Sequence, residues 1–383
     1  MTGLVEELRA RAEEVGRAHG ERLATLGEEE AARAALKALA EAGLLACCVP
    51  AVDGGLATQG LCDAAAVSTR AVAAVRDVLA YHSGMLDVMF VMQGLGSYPL
   101  SRGGAGKLRG EVFPGVVSGE AAAAFALTEP GAGSSLGDVA TRAERHGDAW
   151  VLNGRKTFIS NAGMARFYTV LARTSGEPGQ GGDDAGLSMF FVPDDVWGVD
   201  VEPFEVLAPH PIGDVVLKDV QVPAEFLLGR EGQGLELALE TLGRFRTTVA
   251  AAANGFARRA LDETLGHVQR RQQFGKPLAR NQGLRFDLAE MDVRLRAAQL
   301  LVEEAAAAVD GGQDATREVA RAKLFATEAA GWICDRAVQL HGGLGVKKGS
   351  VVERLYRDVR ALRIYEGTSE IQKVILAREV LRG

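Results

Sequence analysis

The chain reads as a multidomain α+β protein: an N-terminal α-helical domain over 1–120, a middle antiparallel β-domain over 121–228 and a C-terminal four-helix bundle domain over 229–383. Three observations predict this. At 383 residues the chain exceeds one domain's usual allowance of roughly 150. The spacing of apolar residues shifts from the helical period towards two near Ala121 and back again near Leu235. Apolar residues at 47% and charged residues at 24% suit a packed soluble protein and exclude a disordered or collagen-like one.

In the first domain Leu4, Leu8 and Ala12, then Leu36, Leu39, Leu44 and Leu45, recur at three- and four-residue intervals among Glu, Arg and Lys, as on amphipathic helices. Gly54-Gly55 and Gly103-Gly104 mark connections. In the second, DAWVLNG, KTFIS, FYTVLA, LSMFFVP and DVVLKDVQVP are β-branched and aromatic runs between turn signals, hence strands. Ser175 to Gly186, with Gly181 and Gly182, is expected to be a solvated loop between two of them. In the third, ARRALDETLGHVQRRQQFG and LAEMDVRLRAAQLLVEEAAAAV return to the helical period. No internal repeat is present.

Global features exclude several classes. The longest run without a charge, Val88 to Ser101, is broken by Gly94, Gly96 and Pro99 and is too short to span a membrane. The opening MTGLVEELRA has neither the basic flank nor the apolar run of a secretion signal, so a cytoplasmic location is expected. Cys47, Cys48, Cys62 and Cys334 show no CxxC pairing and are expected to be thiols rather than metal ligands. A net charge of −7 without basic blocks argues against nucleic acid as a partner.

Four segments could carry chemistry. TEPGAGSSLG, Thr128 to Gly137, has a glycine spacing like a dinucleotide turn, but DVATRAERHGDAWVLNG follows and reads as a hairpin, not the helix such a turn requires. It is either a loop whose amides approach a flat or anionic ligand or a plain turn. In RRQQFGK, Arg270 to Lys276, the arginines could pair with phosphate and Phe274 stack on a base, although a basic helix end also suits the helix dipole. In AVQLHGGLGV, Gln339 precedes His341, Gly342, Gly343 and Gly345; His341 has no partner at catalytic or metal-ligand spacing and reads as structural. In RIYEGTSEIQ, Glu366 stands just before a final helix, as a favourable helix-terminal charge or as a general base in an apolar setting.

Taken together, TEPGAGS, NGRKTFISNAG, RRQQFG, QLHGGLG and YEGTSEIQ stand in an order and spacing that resemble the acyl-CoA dehydrogenases over nearly the whole chain. The resemblance implies non-covalent FAD, a homotetramer built as a dimer of dimers, and α,β-dehydrogenation of an acyl thioester with an electron-transfer flavoprotein as oxidant. It makes Glu366 the base that takes the α-proton while the β-hydrogen leaves as hydride, with the Glu366 N–H and a flavin hydroxyl on the thioester carbonyl. It assigns Thr128, with Phe125 and Leu127, to the flavin pyrimidine, Ser134 to cofactor and thioester arm, and Phe158 and Ser160 to the ring face and N5 side. Arg271, Phe274, Gln282, Gln339 and Gly343 match residues that hold the pyrophosphate and adenine, partly across a subunit interface, and Thr368 and Glu370 match further FAD contacts. Arg246 and Gly367 fall at the substrate.

Three departures from the family pattern matter. Phe158 stands where many relatives have Trp. Gly243 stands where relatives often have Asp, three residues before the coenzyme-A contact Arg246. VLAPHPIGD lacks an arginine and a serine often found there. The last two lie along the path of the thioester's carrier, so an acyl-carrier-protein thioester is the alternative to coenzyme A. Flavin oxidases and monooxygenases share the fold and form a second alternative; Glu366 in YEGT favours dehydrogenation. Tyr81 to Gly94, with its Met residues, lines the acyl cavity or simply packs in the core.

Overall fold

A computed structural model describes residues 2–179 and 186–382; Gly181 and Gly182 lie outside the described residues. In chain order the elements are α1 (Thr2–Leu23), α2 (Glu28–Glu41), α3 (Thr69–His82), α4 (Gly84–Gly103), α5 (Gly106–Ser118), β1 (Ala123–Ala126), β2 (Arg142–His146), β3 (Ala149–Ser160), β4 (Phe167–Arg173), β5 (Leu187–Pro193), β6 (Val199–Pro203), β7 (Ile212–Pro223) and β8 (Leu227–Leu228). They are followed by α6 (Gly234–Arg270), β9 (Gln272–Gln273), β10 (Lys276–Pro277), α7 (Gln282–Asp310), α8 (Thr316–His341), α9 (Val351–Arg360) and α10 (Ser369–Leu381). None of the described helices is long and apolar enough to cross a membrane.

Compactness groups the chain differently from periodicity. A helical unit comprises Met1–Glu21, Thr69–Asp87 and Arg246–Gly383, and a sheet unit Arg22–Ser68 and Val88–Phe245.

In the sheet unit the strands run in the order β6-β7-β3-β2-β4-β5-β8, with β1 beside β4. Pairing is antiparallel apart from β1 with β4 and a single parallel pair between β2 and β4. The expected antiparallel sheet is therefore mixed, because β1 and β4 are joined through the β2–β3 hairpin, and a long crossover permits parallel pairing. One face buries Trp150, Leu152, Phe190, Val192, Val215 and Leu217. The other packs Phe167, Leu171, Met189 and Phe191 on Leu100 of α4, Phe113 and Val116 of α5 and Leu237 of α6. Covering both faces explains why FYTVLAR is buried throughout and does not alternate.

Gly94 and Gly96, which break the apolar run in sequence, do not break the helix: α4 runs through both and through Pro99. Gly96 is where strand β1 touches it. A Cβ there would lie 2.6 Å from Ala123 Cβ and 2.7 Å from the Ala124 nitrogen, and Thr169 Oγ1 donates to the Gly96 carbonyl at 3.1 Å.

The helical unit is held by an alanine-rich core in which Val249 to Ala253, Ala257 and Ala260 of α6 meet Met291, Leu295 and Ala298 of α7 and Ala322, Ala326, Ala330 and Ile333 of α8. Small side chains let the helix axes approach closely. Asp310, at the end of α7, accepts from the backbone N–H of Thr69 at 2.7 Å and of Arg70 at 3.1 Å, satisfying two orphan donors of α3.

Gly96→Val is therefore expected to lower unfolding free energy by about 1–3 kcal/mol through overpacking against β1. Gly110→Ala, inside α5 with nothing within 4 Å of the added carbon, is expected to raise it by about 0.5–1 kcal/mol. Urea unfolding of the two variants beside the wild type measures both, and equal effects would reject the close approach at Gly96.

Candidate active site

In the sheet unit, β1 ends at Ala126, so Phe125 lies on the strand and Leu127 and Thr128 lie just beyond it. Glu129 shapes the loop that follows. Its carboxylate accepts from the N–H of Ala140 at 2.7 Å and of Thr141 at 3.0 Å, and its backbone exchanges hydrogen bonds with Ala132. The fully buried Lys156 of β3 donates to Glu129 Oε1 at 2.7 Å and to the Leu127 carbonyl at 3.0 Å. Burial brings the Lys156 ammonium down to about 8, with the neighbouring Glu129 opposing that shift. Burial also disfavours charge on Glu129, but the Lys156 ammonium and the two amides outweigh it and hold this carboxyl below its ordinary range. The pair is thus ionised at neutral pH and anchors the chain one residue before Thr128, whose carbonyl accepts from the Thr157 N–H at 2.9 Å.

Beyond Lys156 the register of β3 on β7 shifts between Lys156 and Ile159. This bulge puts Phe158 at φ +56° and leaves its ring 61% exposed, edge-on to Phe204 at 5.2 Å. Bulges re-aim side chains in this way next to active sites. Ser160 Oγ lies 2.9 Å from His210 Nε2, and His210 Nδ1 lies 2.9 Å from the Ala208 carbonyl. A carbonyl only accepts, so Nδ1 carries the proton and Nε2 accepts from Ser160; burial lowers the His210 pKa and keeps the ring neutral. The Ser160 oxygen keeps its lone pairs for a ligand donor. Ser134 is exposed, and Gly131, Gly133 and Gly137 have nothing within 4 Å of an added Cβ.

In the helical unit α6 ends at Arg270 and β9 and β10 form a small hairpin, whose turn is Phe274 at φ +52° and Gly275 at φ +75°. Phe274 is 96% exposed. His267, in the last turn of α6, stacks on His341, the last residue of α8, at 4.3 Å, while His341 Nδ1 lies 2.7 Å from the Ala337 carbonyl. This stack joins RRQQFG to QLHGGLG. It makes His341 structural and leaves Arg271, Gln339 and Gly343 exposed, with Gln282 exposed at the start of α7.

Glu366 lies between α9 and α10 on a left-handed turn, at φ +53°, followed by Gly367 at φ +92°. It is not a helix-terminal charge: α10 begins at Ser369 and Thr368 caps it, Oγ1 accepting from the Ile371 N–H. Glu370 is exposed in the first turn of α10. Arg246 Nε donates to the Glu366 carbonyl at 2.8 Å. Lys323 Nζ donates to the Gly367 carbonyl at 2.7 Å, and Gln372 Nε2 to the same oxygen at 3.0 Å.

The Glu366 carboxyl itself is half-buried, with Oε2 sealed from solvent and without a hydrogen-bond partner. Burial raises its pKa above the usual carboxylate value against the opposing charges of Arg76, Arg246 and Lys323. Arg76 of α3 is buried in a two-bond pair with Asp87 of α4, both bonds 2.7 Å, and donates to Thr248 Oγ1 at 2.9 Å. The site can therefore hold a carboxylate ready to accept a proton.

Sequence reading missed Lys156 with Glu129, Lys323, Arg76 with Asp87, and His210. A signal existed for two of them. Lys323 interrupts the buried stripe Val319, Ala320, Ala326 and Ala330 of α8, and Lys156 lies between inward positions of β3.

The middle-domain model of the acyl-CoA dehydrogenases matches residues 124–220 and their C-terminal-domain model residues 232–381. The chain is 38% identical over 307 residues to the cyclohexane-1-carbonyl-CoA dehydrogenase of Geobacter metallireducens, covering 79% of this chain and 80% of that one. It is 40% identical over 274 residues to the caffeyl-CoA reductase-Etf complex subunit CarC of Acetobacterium woodii, covering 70% of each. Among solved structures, an acyl-CoA dehydrogenase of Bacillus anthracis complexed with FAD superposes with a TM-score of 0.89 at 28% identity, covering 100% of this chain and 67% of that chain.

Fold and site thus define a flavin-dependent oxidoreductase. The chain belongs to the acyl-CoA dehydrogenase family, whose cofactor is FAD. The residues present fit that group: an exposed aromatic on a bulge, a glycine-rich loop with open space at its Cβ positions and a hydroxyl acceptor suit a flavin ring. An exposed arginine suits a pyrophosphate.

Removing Lys156 leaves the Glu129 carboxylate buried without its cation. Lys156→Met is expected to lower unfolding free energy by about 3 kcal/mol, and adding Glu129→Gln to recover part of that loss, since a neutral pair avoids the unpaired charge. Urea unfolding of the single and double variants checks this; a double variant weaker than Lys156→Met alone would refute it.

Proposed function

We propose that this protein catalyses α,β-dehydrogenation of an acyl-CoA thioester with Glu366 as the base. The observation that carries the reading is the Glu366 carboxyl: sealed from water at Oε2, unpartnered and raised in pKa on a turn that other side chains hold. Such a carboxylate is a stronger base than one in water. The α-proton passes to Glu366 Oε2. The Glu366 N–H, with no acceptor among the described residues, donates to the thioester carbonyl as enolate charge develops. Bound FAD supplies the acceptor for the β-hydride. Phe125, Leu127, Thr128, Ser134, Phe158 and Ser160 would hold its flavin, and Arg271, Phe274, Gln282, Gln339, Gly343, Thr368 and Glu370 the remainder. The same groups run the reverse reduction, which the name of the Acetobacterium relative describes.

That relative's name places it in an Etf complex and supports an electron-transfer flavoprotein as the redox partner. The exposed Phe274, Leu344 and Val346 support a homotetramer in which a second copy covers them. An acyl-carrier-protein thioester is the second reading. Gly243 offers no side chain to a carrier, and the Arg246 Nε, at the expected coenzyme-A position, is directed to the Glu366 carbonyl.

Glu366→Gln is expected to keep bound FAD and its yellow colour but to lower substrate-dependent flavin bleaching by at least about 10²–10⁴-fold. The anaerobic panel is butyryl-CoA, cyclohexane-1-carbonyl-CoA and 3-phenylpropionyl-CoA, each beside its acyl-carrier-protein counterpart. Near-full bleaching by Glu366→Gln rejects this base, and bleaching by carrier-protein forms alone selects the second reading. Because the base must be deprotonated and its pKa is raised by burial, kcat/KM should fall as pH drops through a value above the ordinary carboxylate pKa. An acid limb at or below that ordinary value contradicts the assignment.

A further inference from the structure

We propose that Lys323 is the positioning residue of the base: its ammonium pins the turn that carries Glu366 and adds one of the three positive charges that favour ionisation of that carboxylate inside the helical unit. This rests on the reading of Glu366 given above.

The geometry is specific. Lys323 sits in the middle of α8 at 0% exposure, among the buried Ala320, Ala322, Ala326 and Thr327. A lysine is almost never fully buried unless its charge has a partner. The Lys323 bond goes to backbone, the Gly367 carbonyl at 2.7 Å, one residue after Glu366. Gln372 Nε2 donates to the same oxygen, and Arg246 Nε to the carbonyl before it. Three donors thus converge on two successive carbonyls of a turn whose φ values, +53° at Glu366 and +92° at Gly367, a chain with ordinary side chains avoids.

The charged groups facing the two residues come from every neighbouring element. Glu366 is faced by Arg76 of α3, Asp87 of α4, Arg246 of α6 and Lys323 of α8. Lys323 is faced by Glu366, Arg246, Glu328 of its own helix and Glu370 of α10. Arg76 is already matched by Asp87. An arginine keeps its proton throughout the working range, so of the three cations around Glu366 only Lys323 can lose its charge there. Burial brings its ammonium down to about 8, with Glu366 opposing that shift.

Lys323→Met tests this, because methionine fills the same volume without a charge and leaves Gln372 on the Gly367 carbonyl. With the CoA thioester of the panel that bleaches wild type fastest, the acid limb of kcat/KM is expected to move up by about one pH unit, since Glu366 loses a nearby cation. Coincident limbs overturn the inference even if kcat falls, because a purely structural lysine lowers rate without moving the limb.

A second readout is independent of turnover. The folded-state pKa of Lys323 lies below its unfolded value, so between about pH 8 and its ordinary value near 10.5 the unfolded chain binds more protons. The wild-type holoenzyme should therefore gain melting temperature relative to Lys323→Met as pH rises from 8 to 10. A difference that already climbs well below pH 8 overturns the inference, because the lysine would then be neutral in the fold at working pH, whereas a flat one leaves it charged throughout. If no thioester bleaches the wild type, the reading of Glu366 fails, and the melting comparison still decides whether Lys323 is a charged, buried ammonium in the fold.

Discussion

The constraint on which the proposed base depends is a carboxylate with one oxygen sealed from water and still ionisable. Moving a charged group into the interior costs several kcal/mol even after relaxation, and a non-glycine residue in the left-handed region costs roughly another 1–2. Glu366 carries both penalties. What offsets them is a set of charge-assisted hydrogen bonds, about twice as strong as neutral ones, made to the backbone and not to the carboxylate. Arg246 and Lys323 bind the carbonyls of Glu366 and Gly367, so their charges lie near the carboxylate while Oε2 is left unpartnered. A direct salt bridge would have lowered the pKa and removed the basicity on which the proposed reaction depends. Acting through the backbone separates holding the residue from neutralising it.

The sheet unit uses a related device. Lys156 is a buried lysine, and its ammonium also reaches a backbone carbonyl, that of Leu127, one residue before Thr128. Here the amine pairs directly with a carboxylate, Glu129, because Glu129 serves the shape of the loop and not proton transfer. Its two oxygens close the loop through the amides of Ala140 and Thr141. The contrast between the two lysines is informative. Beside the proposed base the lysine is set on the peptide next to the carboxylate; where the carboxylate only holds a loop, the lysine is set on the carboxylate itself.

Periodicity made most elements legible because burial follows it: Leu4, Leu8 and Ala12 of α1 are all buried, and the five β-rich runs lie on strands. It failed where backbone approach, not side-chain pattern, decides. Gly94 and Gly96 read as breaks in an apolar run, yet α4 passes through them because β1 needs the space at Gly96. The motif residues were legible as a resemblance, and Glu366 could not be told from a helix-terminal charge by spacing alone. Its turn and the capping of α10 by Thr368 decide that point. The bulge at Phe158 left no mark in the sequence, since KTFIS alternates like any strand while the register shift arises from its pairing with β7. The periodicity of α8 and β3 places Lys323 and Lys156 at inward positions, but the expectation that a lysine lies on the wet face outweighs that signal when the sequence is read alone.

The placement of Arg246 bears on how the thioester's carrier is recognised. An arginine attracts a diphosphate best when its planar fork faces the anion. Here Nε is committed to the Glu366 carbonyl, and burial disfavours its charge, with Glu366 opposing that effect. Three residues earlier on the same helix, Gly243 presents backbone with open space around its missing side chain. This stretch of α6 therefore reaches the proposed base directly through Arg246, and no carboxylate stands at Gly243 to accept from the hydroxyl or amide donors of a carrier. Recognition by shape along open backbone tolerates a change of carrier better than recognition by a matched set of charges. Gly243 also leaves the holding of Glu366 untouched, since that lies at Arg246, further along α6, and at Lys323 and Gln372 on two other helices.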